Sequence, residues 1–386
     1  MELDLSWILL GLPIAFTLGW LASRLDLRQL RIENRQAPKA YFKGLNYLLN
    51  EQQDQAIDAF IEAVQRDPDT SELHFALGNL FRRRGEYERA VRVHEHLLSR
   101  ADLSASDRER AQHALAQDFL KAGLLDRAED ALQRLEGTRY QEQAWLSLLA
   151  LHERARDWPH ATEIARRLQQ AEHGDFAARL AHYQCELAAT ALSKHQDPTT
   201  ARRLLTEAIE QSPASARPRI QLAGLLAGQG DMPGAFTELA RLEQHAPQAI
   251  PLVASELVRI GQASGQLPHA IELLQRSYAL LPSIDTADAI VQAQVAAGTP
   301  MPEAREGYVR HMTQEPSLIA AMRWLSHEPF AQDGAHPMVQ RSLEHAARPL
   351  ARYRCAACGF EAQGYFWQCP GCQAWESFPP KRIEEL

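Results

Sequence analysis

A chain of 386 residues is long enough for two or three domains or for one extended repeat array. A formal net charge of −8 and a pI near 6.0 give no support to general nucleic-acid binding. Five cysteines are a poor disulfide scaffold for this length, and the pairing of four of them near the C-terminus suits a metal in a reducing compartment.

The first predicted element is an apolar helix. Leu5 to Ser23 carries no charge and is bracketed by Asp4 and Arg24. As a helix it spans roughly 28 Å, close to the hydrocarbon thickness of a bilayer. Trp7 and Trp20 fall near the two expected interfaces, and Gly11, Pro13 and Gly19 are tolerated in membrane helices. A signal peptide would need a basic region before the apolar core, whereas this chain begins MELD. The basic residues come afterwards, at Arg24, Arg28, Arg31, Arg35, Lys39 and Lys43. The sequence therefore predicts a transmembrane anchor over 1–23 and a basic juxtamembrane segment over 24–36. The positive-inside rule places the N-terminus outside and the rest of the chain on the cytoplasmic side.

Next comes a repeat. Pro213, Pro247, Pro282 and Pro316 recur every 34 or 35 residues, and Ala201, Ala235, Ala270 and Ala304 each stand twelve residues before one of them. Ala56 and Pro68 have the same offset, and Gly44 and Gly78 are 34 apart. This is the tetratricopeptide period of two helices and a tight turn. The alanine lets paired helices approach, larger neighbours fill the groove, and proline ends the second helix. About eight units are expected over 37–330, with Ala90, Ala128 and Ala161 phasing the second, third and fourth. The step from Ala90 to Ala128 is four residues longer than the period, which points to a longer connector around Asp102–Asp107. Phasing is least clear between Leu168 and Ala181. Phe60, Phe81, Phe119 and Trp145 are read as core, and Cys185 as a small buried residue. An all-α superhelix with a concave, partner-binding face is the expected architecture.

The segment HPMVQRSLEHAARPL predicts a helical connector within 331–350, ended by Pro349. A small metal-binding domain follows over 351–380, and a tail over 381–386. Cys355 and Cys358 form one Cys-x-x-Cys pair, Cys369 and Cys372 another, which reads as a tetrahedral four-sulfur site for one structural metal ion. Zinc is preferred because all four ligands are committed; iron also suits four sulfurs. Gly359 and Gly371 are read as permitting the close turns. Tyr353, Phe360, Tyr365, Phe366, Trp367, Trp375 and Phe378 cannot form a large core in so short a segment, so metal binding supplies the missing folding energy.

No Walker loop, dinucleotide glycine pattern, His-Glu-x-x-His helix or Gly-x-Ser-x-Gly elbow occurs, so no enzyme activity is expected. His94 and His96, two apart on a helix, face different sides and are not read as a metal pair. Absence of a dense Lys/Arg field around the cysteines argues against a nucleic-acid knuckle.

In this order (GLPIAFTLGW in the leading segment, RIENRQAPKAYFKGLNYLLNEQQDQAIDAF at the first repeat, then CAACG and CPGC) the chain resembles the lipopolysaccharide assembly protein B family of Gram-negative bacteria. The resemblance implies a cytoplasm-facing adaptor at the inner membrane. It implies control of the lipid A pathway deacetylase through a membrane-bound AAA+ metalloprotease, linked to an inner-membrane lipopolysaccharide sensor and to lipopolysaccharide assembly proteins. It also implies that Cys355, Cys358, Cys369 and Cys372 are the ligands of a rubredoxin-like module. The alternatives are a structural scaffold of a lipopolysaccharide synthesis or transport complex, and an iron-dependent electron-transfer component.

Overall fold

The computed structural model describes residues 16, 17, 20, 42–66, 70–327 and 336–386. The expected anchor lies outside the described residues apart from Phe16, Thr17 and Trp20, and so does the whole basic segment after it. No helix among the described residues is long and apolar enough to cross a membrane.

Two compact units divide the chain, Met1–Leu151 and His152–Leu386. The first holds α1 (42–49), α2 (Gln53–Arg66), α3 (Ser71–Arg83), α4 (Tyr87–Ser99), α5 (Ala105–Ala122) and α6 (Leu125–Gln133). The boundary falls inside α7 (Gln141–Ala155). In the second unit, α8 (Trp158–Gln170), α9 (Ala177–His195), α10 (Pro198–Gln211), α11 (Ala216–Gly228), α12 (Met232–Ala240) and α13 (Leu242–His245) come first. Then follow α14 (Ile250–Ala263), α15 (Leu267–Leu280), α16 (Ile284–Ala296), α17 (Met301–Ala304), α18 (Glu306–Gln314), α19 (Leu318–Ser326) and α20 (His336–Ala347). The fold is an all-helical tetratricopeptide-repeat array ending in a small four-cysteine ribbon.

Why these residues form this array is visible in two positions. All eight alanines that phase the repeats, from Ala56 to Ala304, are at most 1% exposed. Each sits in the first turn of a second helix or at its end, where a longer side chain would hold the helices apart. Ahead of it, every turn between paired helices in the described residues contains one left-handed residue: Glu51, Gly85, Gly123, Arg156, Gln196, Gly230, Gly265 or Gly298. The same turn recurs as a backbone bond, for example Glu86 N–H to Phe81 O at 2.9 Å and Gln266 N–H to Gly261 O at 2.7 Å. This is how a helix closes its last carbonyls before reversing. At the other end, Pro213, Pro247, Pro282 and Pro316 each stand two residues beyond the helices that end at Gln211, His245, Leu280 and Gln314.

Two expectations are refined. The four extra residues between Ala90 and Ala128 lengthen a helix and not a connector: α5 has 18 residues where α3 has 13. Ser104 starts it, accepting from Asp107 N–H at 3.0 Å. Phe60, Phe81, Phe119 and Cys185 are buried, but Trp145 is only half-buried and its neighbour Ala144 takes the interior place. Burial pushes the Cys185 thiol up to about 12, which removes it as a nucleophile.

His94 and His96 do part, one buried and one exposed. His94 joins a buried network that sequence reading did not anticipate. Its Nδ1 lies 2.5 Å from Asp118, and Asp118 also accepts from Arg82 at 2.8 Å. Arg82 donates further to Ala114 O at 3.0 Å. Both oxygens of the buried Asp118 are engaged in this way, while His94 Nε2, equally buried, has no hydrogen-bond partner among the described residues.

Candidate metal centre

Strand β1 (Tyr353–Arg354) pairs antiparallel with β2 (Glu361–Ala362), and the loop between them carries Cys355 and Cys358. A second loop, closed by the bridge between Gln368 and Trp375, carries Cys369 and Cys372. The two loops share one geometry. Gly359 N–H donates to Cys355 O at 2.9 Å, and Gln373 N–H donates to Cys369 O at 2.9 Å. Both donors are left-handed, with φ of 77° and 63°. In the second loop this conformation belongs to Gln373, not to Gly371 as the sequence suggested.

Those turns gather all four sulfurs within 4.8 Å of one another. Cys355 Sγ lies 3.8 Å from Cys372 Sγ, and Cys358 Sγ 3.7 Å from Cys369 Sγ. A tetrahedral ion with metal–sulfur bonds of about 2.3 Å requires sulfur–sulfur edges of about 3.8 Å, so the donor set fits one such ion. Zinc and iron both accept that set.

The protein prepares the sulfurs unequally. Burial disfavours the Cys355 thiolate, but the Ser377 hydroxyl and the backbone N–H groups of Cys358 and Ala357 outweigh it, lowering the thiol to about 6. At Cys358 the Phe360 N–H favours ionisation, while burial and the three neighbouring sulfurs override it and raise the thiol to about 12. Crowded sulfurs resist ionising together, and a dication removes that conflict. Cys355 and Cys369 are buried with Tyr353 and Phe378, against Tyr365 and Leu252 of α14; Cys358 and Cys372 are exposed.

The ribbon is bound to the repeats along a seam. Trp375 stacks on His182 of α9, meets Trp158 and Tyr183 edge-on, and donates from Nε1 to Glu153 at 3.0 Å. Glu153 also accepts from Tyr183 Oη. Next to Trp375, Glu376 accepts from His182 Nε2 at 3.0 Å, and that bond lowers its pKa despite partial burial.

The segment read as a tail is a clamp. Arg382 forms a two-point pair with Asp285 at 2.7 and 2.9 Å and covers the Tyr353 ring at 4.2 Å. Glu384 accepts from the N–H groups of Leu318 and Ile319 at 3.1 and 3.2 Å and from the Ser317 hydroxyl, which places a carboxylate on the N-terminus of α19. Glu385 accepts from Ile284 N–H at 2.6 Å, at the start of α16, and burial raises its pKa. Sequence spacing pointed to the four cysteines but not to the seam or the clamp.

Comparison with known proteins agrees with this geometry. The rubredoxin metal binding domain family matches residues 353–380, and tetratricopeptide repeat families match 43–94 and 192–260. Lipopolysaccharide assembly protein B of Escherichia coli K12 is 31% identical over 386 residues, covering 98% of each chain. The Haemophilus influenzae Rd protein of the same name is 26% identical over 397 residues, again covering 98% of each. Kinship over the full length, through repeats and ribbon together, means that the chain belongs to the lipopolysaccharide assembly protein B family.

Proposed function

We propose that this protein is a non-catalytic adaptor of the inner membrane that regulates lipopolysaccharide biosynthesis. It promotes proteolysis of the lipid A pathway deacetylase by a membrane-bound AAA+ metalloprotease, and it answers to an inner-membrane lipopolysaccharide sensor. The observation that carries this reading is full-length kinship with relatives named for lipopolysaccharide assembly. The apolar run Leu5–Ser23 supports the membrane location, with the N-terminus periplasmic and the bulk of the chain cytoplasmic.

The mechanism is positional. A tethered repeat array raises the concentration of a recruited soluble enzyme near a protease confined to the same membrane. Tetratricopeptide grooves bind proteins through packed helices and make no bonds themselves. The ribbon, held by Trp375 and the Arg382–Glu385 clamp, fixes one end of the helices it packs on. Peptide hydrolysis belongs to the protease.

Deacetylase half-life in cells with and without this protein tests the reading. With the protease active, half-life should lengthen several-fold when the protein is removed. An unchanged half-life would overturn regulation and leave a passive scaffold of the synthesis or transport complex. Deleting residues 1–23 should leave a foldable body that no longer shortens the half-life at native abundance.

A further inference from the structure

We infer that His152, Asp157 and His160 form a second divalent-cation site, for Zn2+, at the turn between α7 and α8. His152 lies in the last turn of α7, Asp157 is the N-cap residue of α8, and His160 is in its first turn. One ligand atom from each lies within 4.8 Å of the other two.

Asp157 divides its carboxylate between two tasks. Oδ1 accepts from His160 N–H at 3.4 Å, the capping bond. Oδ2 lies 2.7 Å from Nδ1 of His160 and 3.8 Å from Nδ1 of His152. Capping requires only the first contact. Convergence of two imidazoles on the second oxygen is a separate feature. The rings lie 22° from parallel with centroids 5.2 Å apart, so a turn of the exposed His160 ring brings both Nδ1 lone pairs onto one ion.

The distances suit a small borderline cation. Zinc bonds of about 2.0–2.1 Å at tetrahedral angles separate ligand atoms by about 3.3–3.4 Å. The observed 2.7 and 3.8 Å lie on either side of that value, so small side-chain rotations admit the ion. Two imidazoles with one carboxylate select zinc over magnesium or calcium, which take oxygen donors.

Backbone geometry fixes the ligands before any ion arrives. Asp157 N–H donates to His152 O at 2.9 Å across the left-handed Arg156. His152 is buried, while His160 is 61% exposed on its side chain, which gives the ion an entry and a water the fourth position. Glu153, next to His152, is the residue that receives Trp375, so occupancy stiffens the helix end that bears the ribbon.

The test uses the full chain in detergent, with the four-cysteine site first saturated with Zn2+. Further Zn2+ is added by equilibrium dialysis and counted by elemental analysis. A second equivalent should bind. It should weaken by more than about tenfold in His160→Ala and in Asp157→Ser, because each removes a direct ligand. Serine keeps a capping oxygen, so loss of metal with an unchanged melting temperature in zinc-free buffer separates ligation from capping. A wild-type chain that stops at one equivalent, or a second equivalent that survives either substitution, overturns the assignment.

Discussion

The imidazole of His182 lies on the indole of Trp375, with ring centroids 4.7 Å apart and planes 18° from parallel. The same indole donates to Glu153, and the residue after it accepts from His182. One dipeptide of the ribbon therefore reaches α7, α8 and α9, through Glu153, Trp158 and His182. Docking of the ribbon is concentrated there and at the C-terminal clamp.

Trp375→Ala should release that edge of the ribbon. It removes a stack, two edge-on contacts and one hydrogen bond from a half-buried site, a loss of roughly 2–4 kcal/mol. Limited proteolysis should then cut between α20 and β1 several-fold faster, with metal content unchanged. Equal cutting rates would show that the seam is held elsewhere.

Acid should loosen the same edge in a defined window. The hydrogen bond from His182 holds the Glu376 carboxyl below its ordinary value of 4.5. A depressed carboxyl contributes stability that is present above the unfolded value and lost as pH falls through the folded one. The difference in stability between wild type and Glu376→Gln should therefore be flat above about pH 4.5 and shrink below it. Because the site is part-exposed, the difference should be small, under about 1 kcal/mol. A difference that disappears between pH 7 and 5 would contradict this origin.

Glu384→Ala tests the clamp. It removes the acceptor from two helix-terminal N–H groups and from Ser317, at a cost of about 1–2 kcal/mol. Hydrogen exchange at Leu318 and Ile319 should accelerate about tenfold, as a loss of about 1.4 kcal/mol implies. Unchanged exchange at both amides would mean that water replaces the carboxylate without cost.

Cys369→Ser should empty the ribbon of metal. Cys369 is fully buried beside Phe378, and no larger core in the ribbon substitutes for the ion. Elemental analysis should fall by one equivalent, and protease should digest residues beyond α20 while the helical signal of the repeats persists. Retained metal would show that Cys369 is not a ligand.

Local pattern carried the repeats and the cysteines because each is written within a few dozen residues. Alanine and proline mark where helices touch and stop, and Cys-x-x-Cys needs only one loop. Phasing was hardest where punctuation was missing: no proline stands between α8 and α9, and the turns on either side use Arg156 and Gln196 instead of glycine. The seam and clamp were not legible for a different reason. Glu153 and His182 read as ordinary helix residues, and Trp375 as one of many ribbon aromatics. Their partnership exists only once distant segments meet, which no local periodicity encodes.

Glycine at the helix crossing gives the sharpest stability contrast. A Cβ on Gly78 would sit 2.5 Å from the His94 ring, and that ring is held by Asp118 and packed beside Phe75. Gly78→Ala gains about 1 kcal/mol of helix propensity but must displace a fixed, fully buried side chain, at about 1–3 kcal/mol or more. Disturbing the bond to Asp118 adds to the cost, so net destabilisation is expected. Gly224 in α11 has nothing within 4 Å of an added Cβ, so Gly224→Ala should stabilise by up to about 1 kcal/mol. Denaturant unfolding of the two variants should shift in opposite directions. A stabilised Gly78→Ala would mean that the His94 ring moves freely, and that the buried network does not fix this crossing.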